Sequence, residues 1–386
     1  MNLFKSLFQK TPQKTPLAET GSFAAEVQTF SPRSPRYAYA FPSPYKQPRI
    51  LILVDSVAAS YCLNFHYVLA RLHEAESLAF FVLESAEVER WSQAMGSPAD
   101  MVQQVIEDVQ PTLVIFSRYG SPYADELTSL FKAKGIATVC HLDNNLLSAE
   151  ADVQVPRSLL ENSDLIYTST AVLGDRIAAQ FPSKTVFSGI AAPYPDFLLA
   201  EPPPPKASPL TLGYAGEQPA DLALIAADIA RILDDYPEAR FEIFGTVAMP
   251  ESLQEFGDRT RTYKPDSDYR QSLNQLNRLN WDIGLLPLRP SEFNQSKAPV
   301  TYIEYSACGI ATLASSSPAY QPFEQKMAPD SNLLVAQPGE WYGSLQQLID
   351  STTLRAMLVN NSQTYCAEAF SLNTLEAKLK ELIALV

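Results

Sequence analysis

Lys297 and Glu304 place a cation and a carboxylate on one predicted helix and the loop before it. A lysine near a helix start can hold a phosphate, aided by the free backbone N–H groups there. Glu304 lies about two turns further along the helix and can accept hydrogen bonds from sugar hydroxyls. The spacing therefore predicts a site for a phosphorylated ligand that is rich in hydroxyl groups.

The elements around this pair follow a strand–loop–helix–strand pattern. An apolar run over 282–288 predicts a strand, and a polar loop follows it. Helical spacing over 298–308 ends at Gly309, and a second strand is predicted over 311–315. Because ligands of open α/β sheets bind at the carboxyl ends of the strands, we expect the loop and helix start to lie at a binding edge.

The residues of this helix and of the next strand also form a sequence motif. Its members are Lys297, Ile303, Glu304, Tyr305, Ala307, Gly309, Ile310, Ala314 and Ser315. The motif resembles the sugar-nucleotide-binding stretch of retaining GT-B glycosyltransferases, in particular the large group called family four. The resemblance implies that Glu304 holds the ribose of a nucleotide diphosphate-sugar donor. It also implies that Lys297 grips the diphosphate and stabilises the leaving group, so that neither a metal nor a cofactor is required.

The loop before the helix departs from the family pattern. Family members usually carry a second glutamate that contacts the donor sugar, and Ser296 stands at that position here. Glu292 is the nearest acid, and it either replaces the missing group or does not. We predict Glu292, Asn294 and Ser296 as donor-binding residues of this loop.

A second predicted donor-binding segment contains Gly213 and Gly216, into which an apolar strand over 211–216 runs. Glycines allow backbone N–H groups to approach a phosphate closely. The family often has an arginine and a lysine in or after this loop, whereas the charges here are those of Glu217 and Asp221. Phosphate binding would then depend on Lys297, with help from Lys264 or Arg289. The alternative is a tight turn without a ligand.

Three polar residues of the first half complete the predicted site. His141 follows an apolar strand, and the resemblance implies that it reaches the donor sugar as a catalytic residue. Asp143 resembles an acidic position seen after that histidine in some members. Asp55 follows the first strand, and we predict Asp55 and Asp143 as acceptor-binding residues. The alternative for His141 is a loop histidine without a role.

Composition and charge exclude several classes of function. A net charge of −14 argues against nucleic acid as the main partner. The sequence contains no dinucleotide-binding glycine motif, Walker loop or zinc-protease motif. Zinc is not expected, because no pair of cysteines has the spacing of a metal site. Buried, reduced thiols in a cytoplasmic protein are the expected state of Cys62, Cys140, Cys308 and Cys366.

Alternating strand and helix patterns predict an α/β fold with two Rossmann-like, doubly wound parallel sheets. We expect a disordered Pro-rich segment over 1–48, an acceptor domain over 49–200, a Pro-rich linker over 201–209 and a nucleotide-sugar domain over 210–370. The resemblance implies the GT-B arrangement, with the active site in the cleft between the domains. It also implies that a last helix over 371–386 returns to the first domain.

We therefore predict a glycosyltransferase that moves a sugar from a nucleotide diphosphate-sugar to a glycan or lipid-linked acceptor, as in polysaccharide synthesis. Two alternatives remain: a binding or scaffolding protein of the same fold, and a sugar-nucleotide epimerase or hydrolase. The first ten residues could also make a weak peripheral membrane contact, since one helical face would carry Leu3, Phe4, Leu7 and Phe8. The alternative there is a tail with incidental apolar residues.

Overall fold

The computed structural model describes residues 48–121, 123–190, 192–202, 205, 209–321 and 331–386. The expected Pro-rich segment and the possible membrane contact at residues 1–10 lie outside these ranges. The chain divides into two compact units. One comprises the described residues up to Gly189 together with Glu376–Val386, and the other is Ile190–Leu375.

The first unit is built on a six-stranded parallel sheet with the order β2-β1-β3-β4-β5-β6. Its strands are β1 Arg49–Val54, β2 Ala79–Glu84, β3 Leu113–Ser117, β4 Ala137–Leu142, β5 Leu165–Thr168 and β6 Val186–Ser188. Near-continuous apolar runs form these strands because helices cover both faces of a parallel sheet. The chain moves outward from β1 to β2 and then returns to the other side of β1 as β3. The sheet therefore has its topological switch point between β1 and β3.

The helices of the first unit begin at recognisable sequence signals. Ser97 caps the helix that starts at Pro98, since its hydroxyl accepts the Asp100 N–H at 3.1 Å. Thr170 caps another helix in the same way. The helical segments are Ala59–Tyr61, Cys62–His66, Tyr67–Glu74, Ser85–Met95, Pro98–Val109, Ala124–Ala133, Arg157–Asn162 and Ala171–Gln180, with Leu372–Ala384 contributing its residues from Glu376 onward.

The second unit is built on another six-stranded parallel sheet, with the order β12-β11-β10-β7-β8-β9. Its strands are β7 Thr211–Ala215, β8 Arg240–Phe244, β9 Thr260–Tyr263, β10 Ile283–Leu286, β11 Ala311–Ser315 and β12 Leu334–Ala336. Here the chain runs outward from β7 to β9 and returns to the other side of β7 as β10. The switch point of this sheet lies between β7 and β10.

Helices flank this second sheet as well. Their bounds are Pro195–Leu198, Pro219–Ala223, Ala226–Asp235, Glu251–Gln254, Gly257–Arg259, Tyr269–Leu279, Glu292–Gln295, Val300–Ala307, Trp341–Asp350 and Thr352–Ala369. The apolar side chains of Ile229, Ile232 and Leu233 pack with those of β7, β8 and β10 into the core of the unit.

Two doubly wound parallel sheets confirm the predicted fold class. The four cysteines are reduced and buried, as expected. Two short helices, Pro219–Ala223 and Ala226–Asp235, follow β7 and are separated by Leu224 and Ile225. No helix within the described ranges has the length and apolar character needed to cross a bilayer.

Candidate functional site

The carboxyl ends of β7 and β10 meet at the switch point of the second sheet, and a buried carboxylate joins the loops that follow them. Asp221, on the helix after β7, is 1% exposed. One of its oxygens, Oδ1, accepts the backbone N–H of Arg289 at 3.0 Å and Nδ2 of Asn294 at 2.9 Å. Because both donors belong to the loop after β10, Asp221 fixes the loop that leads to Lys297.

Lys297 is half-buried at the end of this loop. Its side chain forms no ion pair or hydrogen bond with any residue that the structure describes. Burial lowers the pKa of its ammonium, and the charges of Asp221 and Glu217 oppose that change. A desolvated ammonium without a partner is suited to a ligand that brings its own negative charge.

Glu304 is half-buried on the helix Val300–Ala307. Burial raises the pKa of its carboxyl group to about 7, and hydrogen bonding with the Tyr269 side chain partly offsets that rise. No described cation forms an ion pair with it. The carboxylate is thus available for hydroxyl donors of a ligand.

The helix that carries Glu304 is held against the sheet by its neighbour Tyr305. The Tyr305 hydroxyl accepts the backbone N–H of Ala215, the last residue of β7, at 2.7 Å. The aromatic ring occupies the space above Gly284 in β10, where an added Cβ would lie 2.4 Å from the ring. Glycine at position 284 therefore allows the close approach that positions Glu304.

Gly213 and Gly216, which we predicted together as donor-binding residues, differ from each other in their surroundings. Gly213 lies inside β7, where an added Cβ would stand 1.9 Å from the ring of Trp281. It is placed to pack against that indole rather than to approach a phosphate. Gly216 follows the strand, and a Cβ on the neighbouring Gly245 would be 2.2 Å from the Gly216 carbonyl oxygen. Gly216 is therefore at the carboxyl edge, in close contact with the loop after β8.

Two polar side chains of the loop before Lys297, those of Asn294 and Ser296, face the protein interior. Asn294 is 3% exposed and donates to Asp221 and to the Arg289 carbonyl oxygen. Ser296 is 1% exposed, and its hydroxyl donates to the Glu292 carbonyl at 3.3 Å. Asn294 and Ser296 therefore shape the loop. Glu292, the third residue of the loop that we predicted to bind the sugar donor, is exposed. The loop contains the short helix Glu292–Gln295, which we did not predict.

His141 is the penultimate residue of β4 in the first unit and is fully buried. Its Nδ1 lies 2.9 Å from the Ser117 hydroxyl, and its Nε2 lies 3.0 Å from the Ser169 hydroxyl. Because Ser169 donates its proton to Asn64, Nε2 carries the ring hydrogen and Nδ1 accepts. Burial lowers the pKa of His141 to about 4, so the ring is neutral near pH 7. The predicted contact with a donor sugar would require one of the two serine bonds to be exchanged.

The predicted acceptor residues lie near an arginine at the switch point of the first sheet. Arg118, after β3, has a φ of 50° and donates to both oxygens of Asp143 at 2.8 and 2.9 Å. A third bond, of 2.6 Å, joins Arg118 to Asp152. Asp143 is buried and forms an ion pair with Arg118. Asp55, after β1, is half-buried, and burial raises its pKa, while the charge of Arg118 lowers it. Asp55 is the member of this group better placed to meet a ligand.

The sequence alone indicated no role for Arg118 or Tyr305, and the charge of Asp221 was expected to be unfavourable for phosphate binding. The signal for Tyr305 was present, since it stands next to Glu304 within the motif. The role of Asp221 depends on partners 68 and 73 positions away, and no local pattern shows them. Lys264 and Arg289 were expected to assist at the phosphate. The Nε of Arg289 lies 3.9 Å from Asp221, and Lys264 follows β9, at the far edge of the sheet.

Solved structures with both sheets provide the comparison at this point. A structure of Anabaena HepE in complex with UDP-glucose has a TM-score of 0.63 and 14% identity, and the match covers 88% of this chain and 100% of that chain. Sucrose-phosphate synthase from Thermosynechococcus elongatus has a TM-score of 0.61 and 10% identity, and the match covers 88% of this chain and 99% of that chain. A variant of S. aureus TarM in complex with UDP, alpha-GlcNAc-glycerol and Fondaparinux has a TM-score of 0.54 and 10% identity. That match covers 74% of this chain and 59% of that chain. No family model and no curated relative matches the sequence.

These similarities define the fold of the chain. Its two units have the Rossmann-like, parallel-sheet architecture of the GT-B fold.

Proposed function

We propose that the protein is a glycosyltransferase that takes a nucleotide diphosphate-sugar as its donor. The observation that supports this most is the pair of half-buried, unpaired charges of Lys297 and Glu304 beside the switch point of the second sheet. This is the position where open α/β sheets bind nucleotides. The complex of HepE with UDP-glucose supports a UDP-sugar as the first donor to test.

In the proposed reaction, Lys297 stabilises the diphosphate as the bond between the sugar carbon and the leaving oxygen breaks. Negative charge grows on the diphosphate at that moment, and a preorganised cation in a partly dry site stabilises it more than water would. Glu304 holds the ribose hydroxyls. The protein thereby supplies the charge that a metal ion would otherwise bring, and we propose that transfer is metal-independent. Retention of configuration is proposed from the sequence motif.

In this proposal the acceptor is a glycan or lipid-linked sugar, and it binds at Asp55. The protein acts in the cytoplasm or at the cytoplasmic face of the membrane. A carboxylate that burial makes more basic can accept a hydrogen bond from a sugar hydroxyl. The alternative, a binding protein of the same fold, is favoured by one observation. Ser296 stands buried where the family carries a glutamate for the donor sugar.

Turnover of a labelled donor tests this proposal. UDP-glucose labelled in the sugar would be incubated with the full chain, with and without glycan acceptors and in the presence of a chelator. A glycosyltransferase gives a labelled product that requires the acceptor. A hydrolase or epimerase gives a product without one, and binding without any product would favour the binding protein.

Lys297→Ala provides the first variant for that assay. We expect UDP to bind about 10- to 100-fold more weakly, because a charge-assisted hydrogen bond contributes roughly 1.5–3 kcal/mol. Calorimetric titration with UDP and with uridine separates the phosphate contribution from the rest. Lys134→Ala, at an exposed lysine of the first unit, is the matched control. Equal UDP affinity in both variants would remove Lys297 from the donor site.

A further inference from the structure

Asp221 is a buried carboxylate that its hydrogen bonds satisfy only in part. Both bonds described above end on Oδ1. The second oxygen, Oδ2, is buried and has no hydrogen-bond partner among the described residues. A buried anionic oxygen without a partner is costly, so a nearby cation is expected to compensate for it.

The nearby cations are Lys297 and Arg289. Arg289 approaches Oδ1 with its Nε at 3.9 Å, and its side chain is 39% exposed. Lys297 has no ion-pair partner among the described residues, and Asp221 contributes the largest charge effect on its ammonium. The carboxylate and the ammonium are thus two incompletely satisfied, opposite charges in one partly dry place, where the attraction between them is weakly screened.

We infer that Asp221 is a positioning residue of the proposed donor site: its carboxylate fixes the loop that carries Lys297 and acts as counter-ion to that ammonium until a diphosphate arrives. This inference rests on the proposed function for the identity of the ligand. The interaction between Asp221 and Lys297 is a property of the free protein.

A counter-ion role for Asp221 explains why an acid stands in a segment that was predicted to bind phosphate. An acid in a phosphate-binding loop repels the ligand, but a desolvated lysine without a counter-ion loses its proton more readily. Three other titratable groups interact electrostatically here: Glu217 with Lys297, and the phenols of Tyr214 and Tyr320 with Asp221. Glu217 is exposed, so its effect is screened by solvent.

Direct titration of Lys297 tests the inference. The lysines would be isotopically labelled and followed by NMR from pH 6 to 11 in the full chain, with Lys297→Ala used to assign the signal. In Asp221→Asn, which keeps an acceptor for Arg289 and Asn294, we expect the pKa of Lys297 to fall by about one unit, a tenfold change in the ratio of ammonium to amine. Asp258→Asn, at an exposed position of the same unit, is the control and should leave that signal unchanged. Asp221→Ser removes the same charge and gives a second variant if the asparagine variant does not fold.

Titration with UDP separates this inference from the proposed function. If both hold, the loss of UDP affinity at high pH should begin about one unit lower in Asp221→Asn than in Asp258→Asn, whereas uridine affinity should not change. An unchanged Lys297 titration in both Asp221 variants would overturn the inference, even if UDP binds. Absence of UDP binding to the unchanged protein, together with a shifted Lys297 titration, would refute a UDP-sugar as the donor in the proposed function and leave the counter-ion role of Asp221 intact.

Discussion

At the scale of single residues, the chain places titratable groups in surroundings that move their pKa values in opposite directions. Burial raises the pKa of Glu304 to about 7 and lowers that of His141 to about 4. Both shifts favour the neutral form of a buried group. The two residues differ in their hydrogen bonds. Both ring nitrogens of His141 have a serine hydroxyl as partner, whereas the Glu304 carboxyl group has the Tyr269 hydroxyl nearby. Glu304 is therefore the residue whose protonation a ligand would change.

Glu304 should make the stability of the free protein depend on pH. A carboxyl group whose pKa is higher in the folded state binds its proton more tightly there, so it stabilises the fold at low pH. That contribution is present below about pH 4.5 and is lost as the pH rises through about 7; it totals roughly 3 kcal/mol, of which about 2 kcal/mol is lost between pH 5.5 and 8.5. Urea unfolding at pH 5.5 and 8.5 should show the loss in the unchanged protein and in Glu251→Gln, an exposed control. It should be absent in Glu304→Gln, and an equal pH dependence in all three proteins would contradict the assignment.

His141 can be tested for a catalytic and a structural role in one variant. His141→Ala leaves the hydroxyls of Ser117 and Ser169 without their ring partner and opens a cavity, and we expect a cost of about 2–4 kcal/mol in the free energy of unfolding. If the residue also reaches the donor, turnover should fall further than UDP affinity when both are measured well below the melting temperature. Ser117→Ala keeps the ring and removes one of its bonds, so it serves as the comparison. An unchanged unfolding free energy in His141→Ala would contradict the buried network described here.

At the scale of elements, the strands were predictable from the sequence because the residues of a buried parallel strand form a short apolar run. The run ILILV, for example, forms most of β1, and TLVIFS contains β3. Burial of the polar residues in the loop after β10 was not predictable in the same way. Asn294 reads as an exposed loop residue, and it becomes a core residue only because Asp221 lies beneath it. Local patterns carry the elements, whereas the site depends on contacts between residues that are distant in sequence.

Gly284 offers a test of how one element positions the site. In Gly284→Ala the new methyl group would collide with the ring of Tyr305, and we expect a loss of about 1–3 kcal/mol in stability. UDP affinity should fall as well, since Tyr305 anchors the helix that carries Glu304. Gly343→Ala is the control, because a Cβ there meets nothing within 4 Å, and a helical alanine should stabilise by about 0.5–1 kcal/mol. Similar stabilities for the two variants would show that the ring has room to move.

At the scale of the whole molecule, the same design occurs twice. Each sheet is parallel, has six strands and reverses its strand order beside the strand that the chain enters first. Charged residues without local partners in the sequence collect at the carboxyl edges of both sheets, around Lys297 in one unit and Arg118 in the other. Both basic residues stand in a protein whose net charge is −14. An anionic ligand must therefore be recognised by a few cations at a site, and long-range attraction would not assist it.

Deleting residues 1–40 tests whether the two units are complete without the Pro-rich segment. Every strand of both sheets lies between Arg49 and Ala336, and the polar, Pro-rich composition of the deleted segment cannot supply a core. We expect the melting temperature to stay within about 2 °C of that of the full chain, since no buried apolar surface of the two cores is removed. Donor turnover on a water-soluble acceptor should be unchanged.

Sedimentation with anionic lipid vesicles then examines the apolar face of Leu3, Phe4, Leu7 and Phe8, with Phe4→Ser as a full-length control. Lower vesicle binding in both proteins would support a membrane contact, equal binding would exclude it, and a large fall in melting temperature would show that the segment belongs to the fold.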